Sequence, residues 1–462
     1  MSNETPRPTF RDPAGSLILT GEHAVRVIHP ASRAAVTRFL DSSLRQVLEQ
    51  RGSLVATLEN ADDERLQLRH PRVAIITYPW EWTPGQWLAA AELTLDLCAE
   101  ALEHGWMLKD ATPLNILFVG SRPVLVDVLS FEEHIAGNPI WLAYGQYIRT
   151  FLLPLVMYRL QRRPLALTML RRDGYEPAEL YATLSWLQRL SPAALLPITL
   201  ATWLDGREAA GKPAATALKE PGLALHLLRD MLRRLRNRTR KALPQTGRSE
   251  WSDYTATLSH YSAEQSTQKL DFVRDVLATQ RPARVLDVGA NTGEFSALAA
   301  SLGASVVALE RDAAAAERLY QRAHSQQLDI LAVHADIARP TPAVGWENSE
   351  STSLLNRLEG RFDLVLMLAV VHHLLLMEQI PLPAITALLH RLTTQHLLIE
   401  WVPASDPMFQ SLLRGRDELY GALCEADLLR ACDGLFTLER REPLGNGRVL
   451  LLLQRVPEKR TA

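Results

Sequence analysis

A nine-residue stretch, 285–293 with the sequence VLDVGANTG, constrains the fold more than any other part of this chain. A short apolar run leads into Asp287, a turn follows with Gly289, Asn291 and Gly293, and the next residues, EFSALAA, favour a helix. Glycine lets a backbone approach a ligand where a Cβ would collide, and the first N–H groups of a helix attract polar ligands. The stretch therefore predicts a strand, a tight turn and a helix that bind a ligand.

A second apolar run, 305–309, ends in Glu310. An acid at the end of the second strand of such a unit can accept both hydroxyls of a ribose. These residues are compatible with two kinds of binding site, one for a dinucleotide and one for S-adenosylmethionine. The turn has the pattern GxNxG rather than GxGxxG, and the spacing from Asp287 to Glu310 suits the second.

The stretch resembles motif I of the class I S-adenosylmethionine-dependent methyltransferases. That resemblance implies a set of donor-binding residues: Asp287, Gly289, Asn291, Gly293 and Glu310. It also implies that Asp336, after the apolar run 331–335, accepts a hydrogen bond from the exocyclic amine of adenine. The backbone N–H of Ile337 then meets a ring nitrogen.

Apolar runs alternate with helical patterns from residue 284 onward. This alternation predicts an α/β fold with a doubly wound, mostly parallel sheet. Residues 436–439 and 449–454 look like the closing antiparallel hairpin of the family's fold. The resemblance thus implies a Rossmann-like, seven-stranded methyltransferase sheet.

Residues 362–374 resemble the fourth strand of these enzymes and its exit, which lies beside the methyl group. His372 or His373 could act as a general base for a hydroxyl acceptor, because histidine titrates near neutrality. Equally, one of them could simply hydrogen-bond a loop. Tyr261 could shield the sulfonium or pack a helix on the sheet. The [DN]-PP-[YFW] signature of DNA-amine methylation does not occur here, which argues against that acceptor.

The N-terminal part carries a second group of polar residues with a characteristic spacing. A loop with the pattern D-x-x-x-x-N, from Asp110 to Asn115, precedes an apolar strand that contains Asp127. Asp110 could take a hydroxyl proton, while Asn115 and Asp127 could hold magnesium on ATP. The loop resembles the catalytic loop of protein-kinase-like and aminoglycoside-phosphotransferase-like proteins, which implies an α+β kinase-like domain.

This constellation departs from that family's pattern. It has no GxGxxG loop. Arg26 occupies the position of the phosphate-binding lysine, and an arginine side chain has a different shape and is not equivalent to lysine at such a site. Three alternatives stay open for the N-terminal part. It could be an ATP- and Mg-dependent phosphotransferase or part of a bifunctional enzyme, or it could be a pseudokinase that binds the acceptor or a partner. In the third alternative the polar residues only stabilise a loop.

We therefore predict a kinase-like domain over 1–235, with a small lobe to about 80 and a helical lobe after it, a basic linker over 236–250, and a methyltransferase domain over 251–462. Residues 229–248 contain seven arginines, one lysine and one acid. Such a run suggests RNA or membrane binding, or else a solvated helix face followed by a linker.

Composition narrows the class of acceptor. The net charge of −2 gives no long-range attraction to nucleic acid, so we expect a small-molecule acceptor. Three cysteines without metal-ligand spacing suit a reducing cytoplasm. The longest apolar stretch, 141–160, contains Gln146, Arg149 and Pro154, which argues against a transmembrane helix. Sequence alone identifies no certain metal site and no protein partner.

Overall fold

The computed structural model describes residues 11–21, 23–62, 65–205, 218–243 and 262–457. The chain divides into two compact units, Met1–Gln245 and Thr246–Ala462. Each unit is described by itself below.

The N-terminal unit combines short strands with helices. Its strands are β1 (Gly15–Leu19), β2 (His23–Ile28), β3 (Leu58–Asp62), β4 (Arg65–Pro71), β5 (Trp106–Leu108), β6 (Ile116–Val119), β7 (Arg122–Leu125) and β8 (Phe131–Glu133). Its helices are α1 (Arg33–Leu40), α2 (Ser43–Gln50), α3 (Pro84–Glu103), α4 (Tyr144–Tyr147), α5 (Leu153–Gln161), α6 (Pro177–Thr183), α7 (Trp186–Arg189), α8 (Ala201–Asp205) and α9 (Pro221–Ala242).

The first sheet of this unit is antiparallel, in the order β1-β2-β4-β3. The apolar runs 54–58 and 73–77 predict its last two strands, which is wrong, because those strands are β3 and β4. In β4 the buried Leu66 and Leu68 alternate with more exposed polar residues. A half-buried strand therefore has no continuous apolar run to reveal it.

Two helical predictions have different outcomes. The sequence Thr83-Pro84-Gly85-Gln86 predicts a capping box at the start of a helix. The structure confirms it, since the Thr83 hydroxyl accepts from the backbone N–H of Gln86 at 3.3 Å. The sequence also predicts a single helix that Ser32 caps and that runs to about Gln50. This prediction is wrong, because the chain forms two helices, α1 and α2, in this range. The Ser42 hydroxyl accepts from the N–H of Arg45 at 3.2 Å and starts the second helix.

The basic run of the sequence lies largely in α9. Arg229 bonds Glu103 of α3 with Nη2 to Oε2 at 2.6 Å, and Arg236 and Arg240 pair with other acids of α3. Leu235, Thr239 and Ala242 of the same helix are buried. The predicted linker 236–250 therefore overlaps a packed helix as far as Ala242, because apolar residues recur at helical spacing between the arginines. Residues 244–250 lie outside the described part.

The C-terminal unit alternates strands and helices. Its strands are β9 (Arg284–Val288), β10 (Ser305–Glu310), β11 (Ile330–His334), β12 (Phe362–Met367), β13 (Thr393–Trp401), β14 (Phe436–Pro443) and β15 (Val449–Arg455). Its helices are α10 (Ala263–Gln280), α11 (Glu294–Ser301), α12 (Ala313–Ser325), α13 (Leu354–Leu358), α14 (Val371–Leu376), α15 (Leu382–Leu392), α16 (Pro407–Leu413), α17 (Asp417–Tyr420) and α18 (Glu425–Cys432).

These strands form one seven-stranded sheet in the order β11-β10-β9-β12-β13-β15-β14. The first five are parallel, and β14 and β15 form the antiparallel hairpin that the sequence predicts. The parallel strands are buried along most of their length, as expected when helices cover a sheet. The predicted mostly parallel α/β sheet is confirmed.

The strand order fixes where polar side chains meet. After β9 the chain adds β10 and β11 on one side and β12 and β13 on the other. Ligands of such sheets bind outside the carboxyl ends of the strands, at this switch point. Glu310 ends β10, and Glu400 stands one residue before the end of β13. Both acids therefore lie near the same edge, on opposite sides of β9.

Within the described residues, no helix is both long and apolar enough to cross a membrane.

Candidate donor-binding site

A cavity of about 380 Å³ lies at the carboxyl ends of the central strands. Six of the predicted donor-binding residues line it together: Asp287, Gly289, Asn291, Glu310, Asp336 and Ile337. Five segments of the sequence contribute to the lining, from α10 to the loop after α14. The fold thus gathers side chains that are far apart in the sequence around one space.

The turn between β9 and α11 has the conformation that its glycines permit. Gly289 has φ of +74°, Gly293 has φ of +77° and Asn291 has φ of +51°. A Cβ on Gly289 would stand 2.5 Å from Cγ2 of Val370. Gly293 lies behind the lining, where a Cβ would meet Leu319 at 2.5 Å. Gly289 therefore keeps backbone at the cavity wall, and Gly293 permits packing against α12.

Glu310 holds this turn in place. Its Oε2 accepts from the N–H of Asn291 at 2.8 Å, and its Oε1 accepts from the N–H of Asp312 at 2.7 Å. The residue is 8% exposed, and burial raises the pKa of its carboxyl despite these bonds. A carboxylate has about four lone-pair sites, so both oxygens can still accept hydroxyls from the cavity.

The side-chain oxygen of Asn291 is a buried hydrogen-bond acceptor. Its Oδ1 has no hydrogen-bond partner within the described residues. A buried polar atom without a partner costs free energy, and ligand donors satisfy such atoms. This oxygen, on a cavity wall that Gly289 keeps free of a side chain, fits a ligand with amine or hydroxyl donors, such as S-adenosylmethionine.

Asp287 sits beneath the turn at the end of β9. Its Oδ2 accepts from the Ser296 hydroxyl at 2.6 Å, and the residue is 3% exposed. Burial raises the pKa of Asp287 to about 6, while the Ser296 hydrogen bond and the charge of Lys269 lower it. The carboxylate is therefore mostly ionised at neutral pH and stands at the cavity wall. Sequence reasoning singled out Asp287 but not Ser296, which lies nine residues farther on.

Asp336 and Ile337 line the cavity beside β11. The Oδ1 of Asp336 accepts from the N–H of Ala338 at 2.9 Å, and its Oδ2 stands 3.4 Å from Nη1 of Arg339. Arg339 also pairs with Glu378 in the loop after α14. This exposed arginine thus links two segments at the mouth of the cavity.

The two histidines lie side by side on α14, with ring centroids 4.2 Å apart. His373 lines the cavity, and burial together with the charges of Arg311 and Arg448 lowers its pKa to about 4. His372 is 2% exposed and does not line the cavity, and within the described residues neither of its ring nitrogens has a hydrogen-bond partner. Its pKa is also lowered, chiefly by burial. Of the two, only His373 can meet a cavity ligand directly.

A group of buried ion pairs adjoins the cavity, and the sequence does not predict how its members pair. Lys269 Nζ lies 2.6 Å from Glu400 Oε2, and Arg448 Nη1 lies 3.6 Å from Glu400 Oε1. Arg448 also bonds Asp406 through two nitrogens, at 2.8 and 3.2 Å. The sequence signal for this group is one arginine that directly precedes the apolar strand β15. Tyr261, expected near the donor, lies outside the described residues.

The three polar residues predicted in the N-terminal unit also come together. Asn115 Nδ2 lies 3.5 Å from Asp127 Oδ2, and the charge of Asp127 adds to burial in raising the pKa of Asp110. Asp127 already meets four donors of this chain. They are Arg26 Nη1 at 2.8 Å, the Leu129 N–H at 3.3 Å, the Ser130 hydroxyl at 2.6 Å and Asn115 Nδ2. These donors use the lone pairs that a magnesium ion would need, so this arrangement does not fit the metal.

Comparisons with known proteins agree with the C-terminal assignment. A family model described as a methyltransferase domain matches residues 258–410. The nodulation protein NoeA of Rhizobium meliloti (strain 1021) is 28% identical over 439 residues, which cover 90% of this chain and 89% of that protein.

Several solved structures resemble part of the chain. The bifunctional kinase-methyltransferase WbdD is 21% identical, with a TM-score of 0.30, and the match covers 42% of this chain and 38% of WbdD. The match therefore spans well under half of the WbdD chain. The N-methyltransferase NodS from Bradyrhizobium japonicum WM9 is 14% identical, with a TM-score of 0.33, and the match covers 42% of this chain and 99% of NodS.

Proposed function

We propose that the C-terminal part of the chain, in which residues 258–410 match a methyltransferase domain, transfers a methyl group from S-adenosylmethionine to a small-molecule acceptor. The observation that carries this proposal is the single cavity that the glycine turn, Glu310 and Asp336 line together. These residues supply a close backbone wall, a ribose acceptor and an adenine acceptor in one space.

Each part of the donor has a matching group in the cavity. Glu310 would accept the ribose hydroxyls, and Asp336 would accept from the adenine amine, with the N–H of Ile337 beside it. Asn291 offers its buried Oδ1 as a further acceptor. The ionised Asp287 faces the positive charge of the methionine part. Apart from the N–H of Ile337, these roles use acceptors, which suits a methyl donor that is cationic and rich in N–H and O–H groups.

S-adenosylmethionine supplies an electrophilic methyl on a positively charged sulfur. The main task of the protein is then to hold the acceptor in line with that methyl, which can supply much of the barrier reduction. His373 is neutral at physiological pH because its pKa is about 4. It can therefore accept a proton from an acceptor hydroxyl, or orient the acceptor through a hydrogen bond.

The charges of the lining support a small acceptor over nucleic acid. Five acids line the cavity, and within the described residues only two permanently charged basic side chains do so. The acids are Asp287, Glu294, Glu310, Asp336 and Glu378, and the bases are Lys269 and Arg311. Phosphate backbones bind mainly to clustered lysines and arginines, which this lining does not offer.

Calorimetric unfolding with different ligands tests the class of site. We expect S-adenosylhomocysteine and S-adenosylmethionine to raise the melting temperature of one transition, because a ligand that binds only the folded state stabilises it. NAD at the same concentration should leave the transition unchanged. Stabilisation by NAD but not by S-adenosylhomocysteine would instead establish the dinucleotide alternative.

Donor binding should weaken at acidic pH. Because the pKa of Asp287 is raised to about 6, this carboxylate is ionised above that pH and protonated below it. The ammonium group of the ligand favours the ionised form of this carboxylate, so binding of the ligand should release a proton at low pH. We expect the affinity for S-adenosylhomocysteine to fall about tenfold between pH 7 and 5, as titration of one coupled group with a pKa of about 6 requires.

The matched variant for this titration is Asp287→Asn. The Asn side chain keeps an oxygen that can accept from Ser296, but it does not titrate. Its affinity for S-adenosylhomocysteine should be lower at pH 7 and nearly flat down to pH 5. An equally steep fall in the variant would assign the pH dependence to another group.

We propose, as a second candidate, that the N-terminal unit is a binding module for the acceptor or a partner rather than a phosphotransferase. The observation that favours it is the set of four donors around Asp127, which includes the guanidinium of Arg26. We expect no magnesium-dependent ATP turnover by the full-length protein. Turnover that requires magnesium and disappears in Asp127→Ala would establish the phosphotransferase alternative instead.

A further inference from the structure

A group of large apolar side chains on the N-terminal unit faces solvent instead of the core. The group lies in the segment 186–204, on α7 and the residue after it, on the helical turn Leu195–Leu200 and on α8. Its six members are between 45% and 68% exposed: Trp186, Leu187, Leu190, Leu196, Trp203 and Leu204. Single exposed leucines are ordinary on a protein surface, but a concentration of this kind marks an interaction site. We call these six residues the apolar patch.

Contacts with Tyr181 of α6 join the two ends of the apolar patch. The indole N–H of Trp203 donates to the Tyr181 hydroxyl at 3.3 Å. Arg189, the last residue of α7, stands with its Cζ 4.1 Å from the centroid of the Tyr181 ring, and its Nε donates to the Tyr181 carbonyl at 3.0 Å. The Thr199 hydroxyl donates to the Arg189 carbonyl at 2.7 Å. These contacts hold α7 and α8 beside each other, so the patch is one surface rather than two.

The same part of the chain carries a surplus of positive charge. Residues 159–204 contain six arginines, no lysine and three acids, although the whole chain has a net charge of −2. Two of these acids are already engaged, Glu176 with Arg149 and Glu179 with Arg171. Within the described residues, four arginines of the segment have no acid as an ion-pair partner: Arg159, Arg162, Arg163 and Arg189. Their charge is therefore available to an anionic partner.

Hydrogen bonds place these arginines next to the apolar patch. Gln188 of α7 donates through Nε2 to the carbonyl of Leu160 at 3.0 Å. Gln161 donates through Nε2 to the carbonyl of Thr183, the last residue of α6, at 2.8 Å. The segment 159–163, which carries three of the four arginines, therefore lies against the start of α7. The fourth, Arg189, belongs to α7 itself. Positive charge thus flanks the exposed tryptophan and leucines of this helix.

We propose that this face of the N-terminal unit binds the surface of an anionic lipid membrane, with the apolar patch in the interfacial layer and the four arginines on the headgroups. Tryptophan is enriched at membrane–water interfaces, and basic residues are attracted to anionic headgroups. A second copy of the chain fits this face less well, because a symmetric contact would bring the same arginines toward one another. The proposal concerns attachment to a membrane surface and does not depend on the proposed methyl transfer.

The test is co-sedimentation of the full-length protein with two kinds of vesicle: phosphatidylcholine alone, and equal parts of phosphatidylcholine and phosphatidylglycerol. The wild-type protein should bind the anionic vesicles at least about tenfold more tightly, and this preference should shrink as salt rises. Arg159→Gln with Arg162→Gln should weaken binding to the anionic vesicles by about tenfold to thirtyfold. Trp186→Gln with Leu187→Gln should weaken it by about tenfold or more, because apolar surface no longer enters the lipid.

Trp346→Gln with Leu438→Gln is the matched control, since these residues of the C-terminal unit are 61% and 45% exposed. This control should bind the vesicles as the wild type does, and all variants should keep the wild-type melting temperature because the replaced side chains are exposed. Equal wild-type binding to the two kinds of vesicle would overturn the proposal, as would patch variants that bind as tightly as the control. A dimer that forms without lipid and that Trp186→Gln with Leu187→Gln abolishes would assign this face to a second copy instead.

Discussion

Arg448→Met should lower the free energy of unfolding of the C-terminal unit by about 3–5 kcal/mol, the usual cost of removing one partner of a buried ion pair. Arg448 is fully buried and bonds Asp406 with two nitrogens. Burial alone would raise the pKa of Asp406, but the hydrogen bonds and charge of Arg448 outweigh it and lower that pKa. The methionine would leave this carboxylate without its guanidinium in the interior.

Asp406 also caps a helix, which adds to the loss of unfolding free energy expected for Arg448→Met. Its Oδ1 accepts from the N–H of Met408 at 2.8 Å and caps α16. Substitution of Arg448 therefore disturbs a helix start as well as the end of β13. We would measure urea unfolding and follow the transition that S-adenosylhomocysteine stabilises.

Arg274→Met is the matched control for this measurement. Arg274 pairs with Asp271 at 2.5 Å on the surface of α10, where both side chains are about half exposed. An exposed pair contributes about 0–1 kcal/mol because water and salt screen it. If Arg448→Met costs no more than Arg274→Met, the buried group does not hold this end of the sheet together.

Glu310→Ala should weaken the binding of S-adenosylhomocysteine by about a hundredfold. In the proposed donor site the substitution would remove an acceptor for two ribose hydroxyls, and each hydrogen bond to a charged group is worth about 1.5–3 kcal/mol. It also leaves the N–H groups of Asn291 and Asp312 without the carboxylate that orders the turn. A loss near 3 kcal/mol corresponds to that hundredfold change.

Glu359→Ala provides the comparison for Glu310→Ala. Glu359 is an exposed acid of the same unit that lies 3.6 Å from Arg391 and does not line the cavity. Its loss should leave the calorimetric dissociation constant unchanged. A folded Glu310→Ala protein that binds as tightly as Glu359→Ala would remove Glu310 from the donor site.

Local sequence patterns predict many of the residues that line the cavity at the carboxyl ends of the strands. The strand, turn and helix around Gly289 are encoded within about twenty residues, and the acid that follows the next strand can be found by spacing alone. Buried parallel strands are continuous apolar runs, so β9, β10 and β12 are visible in the sequence. Strand β4, in which buried and more exposed residues alternate from Leu66 onward, carries no such run, and its position could not be obtained in this way.

Long-range partners explain most of what the sequence could not predict. Lys269 and Glu400 are 131 residues apart, and Arg448 and Asp406 are 42 residues apart. No local periodicity connects them, because the strand order brings them together. In the N-terminal unit the sequence singled out Arg26 and Asp127, yet only the folded arrangement shows that they form an ion pair at 2.8 Å.

The most direct test of the central claim is equilibrium dialysis of the full-length protein against radiolabelled S-adenosylmethionine. We predict one bound donor per chain, displaced by S-adenosylhomocysteine, retained in Asp127→Ala and strongly reduced in Glu310→Ala. Absence of bound donor at millimolar concentration, or loss of binding in Asp127→Ala but not in Glu310→Ala, would contradict a donor site at the edge of the seven-stranded sheet.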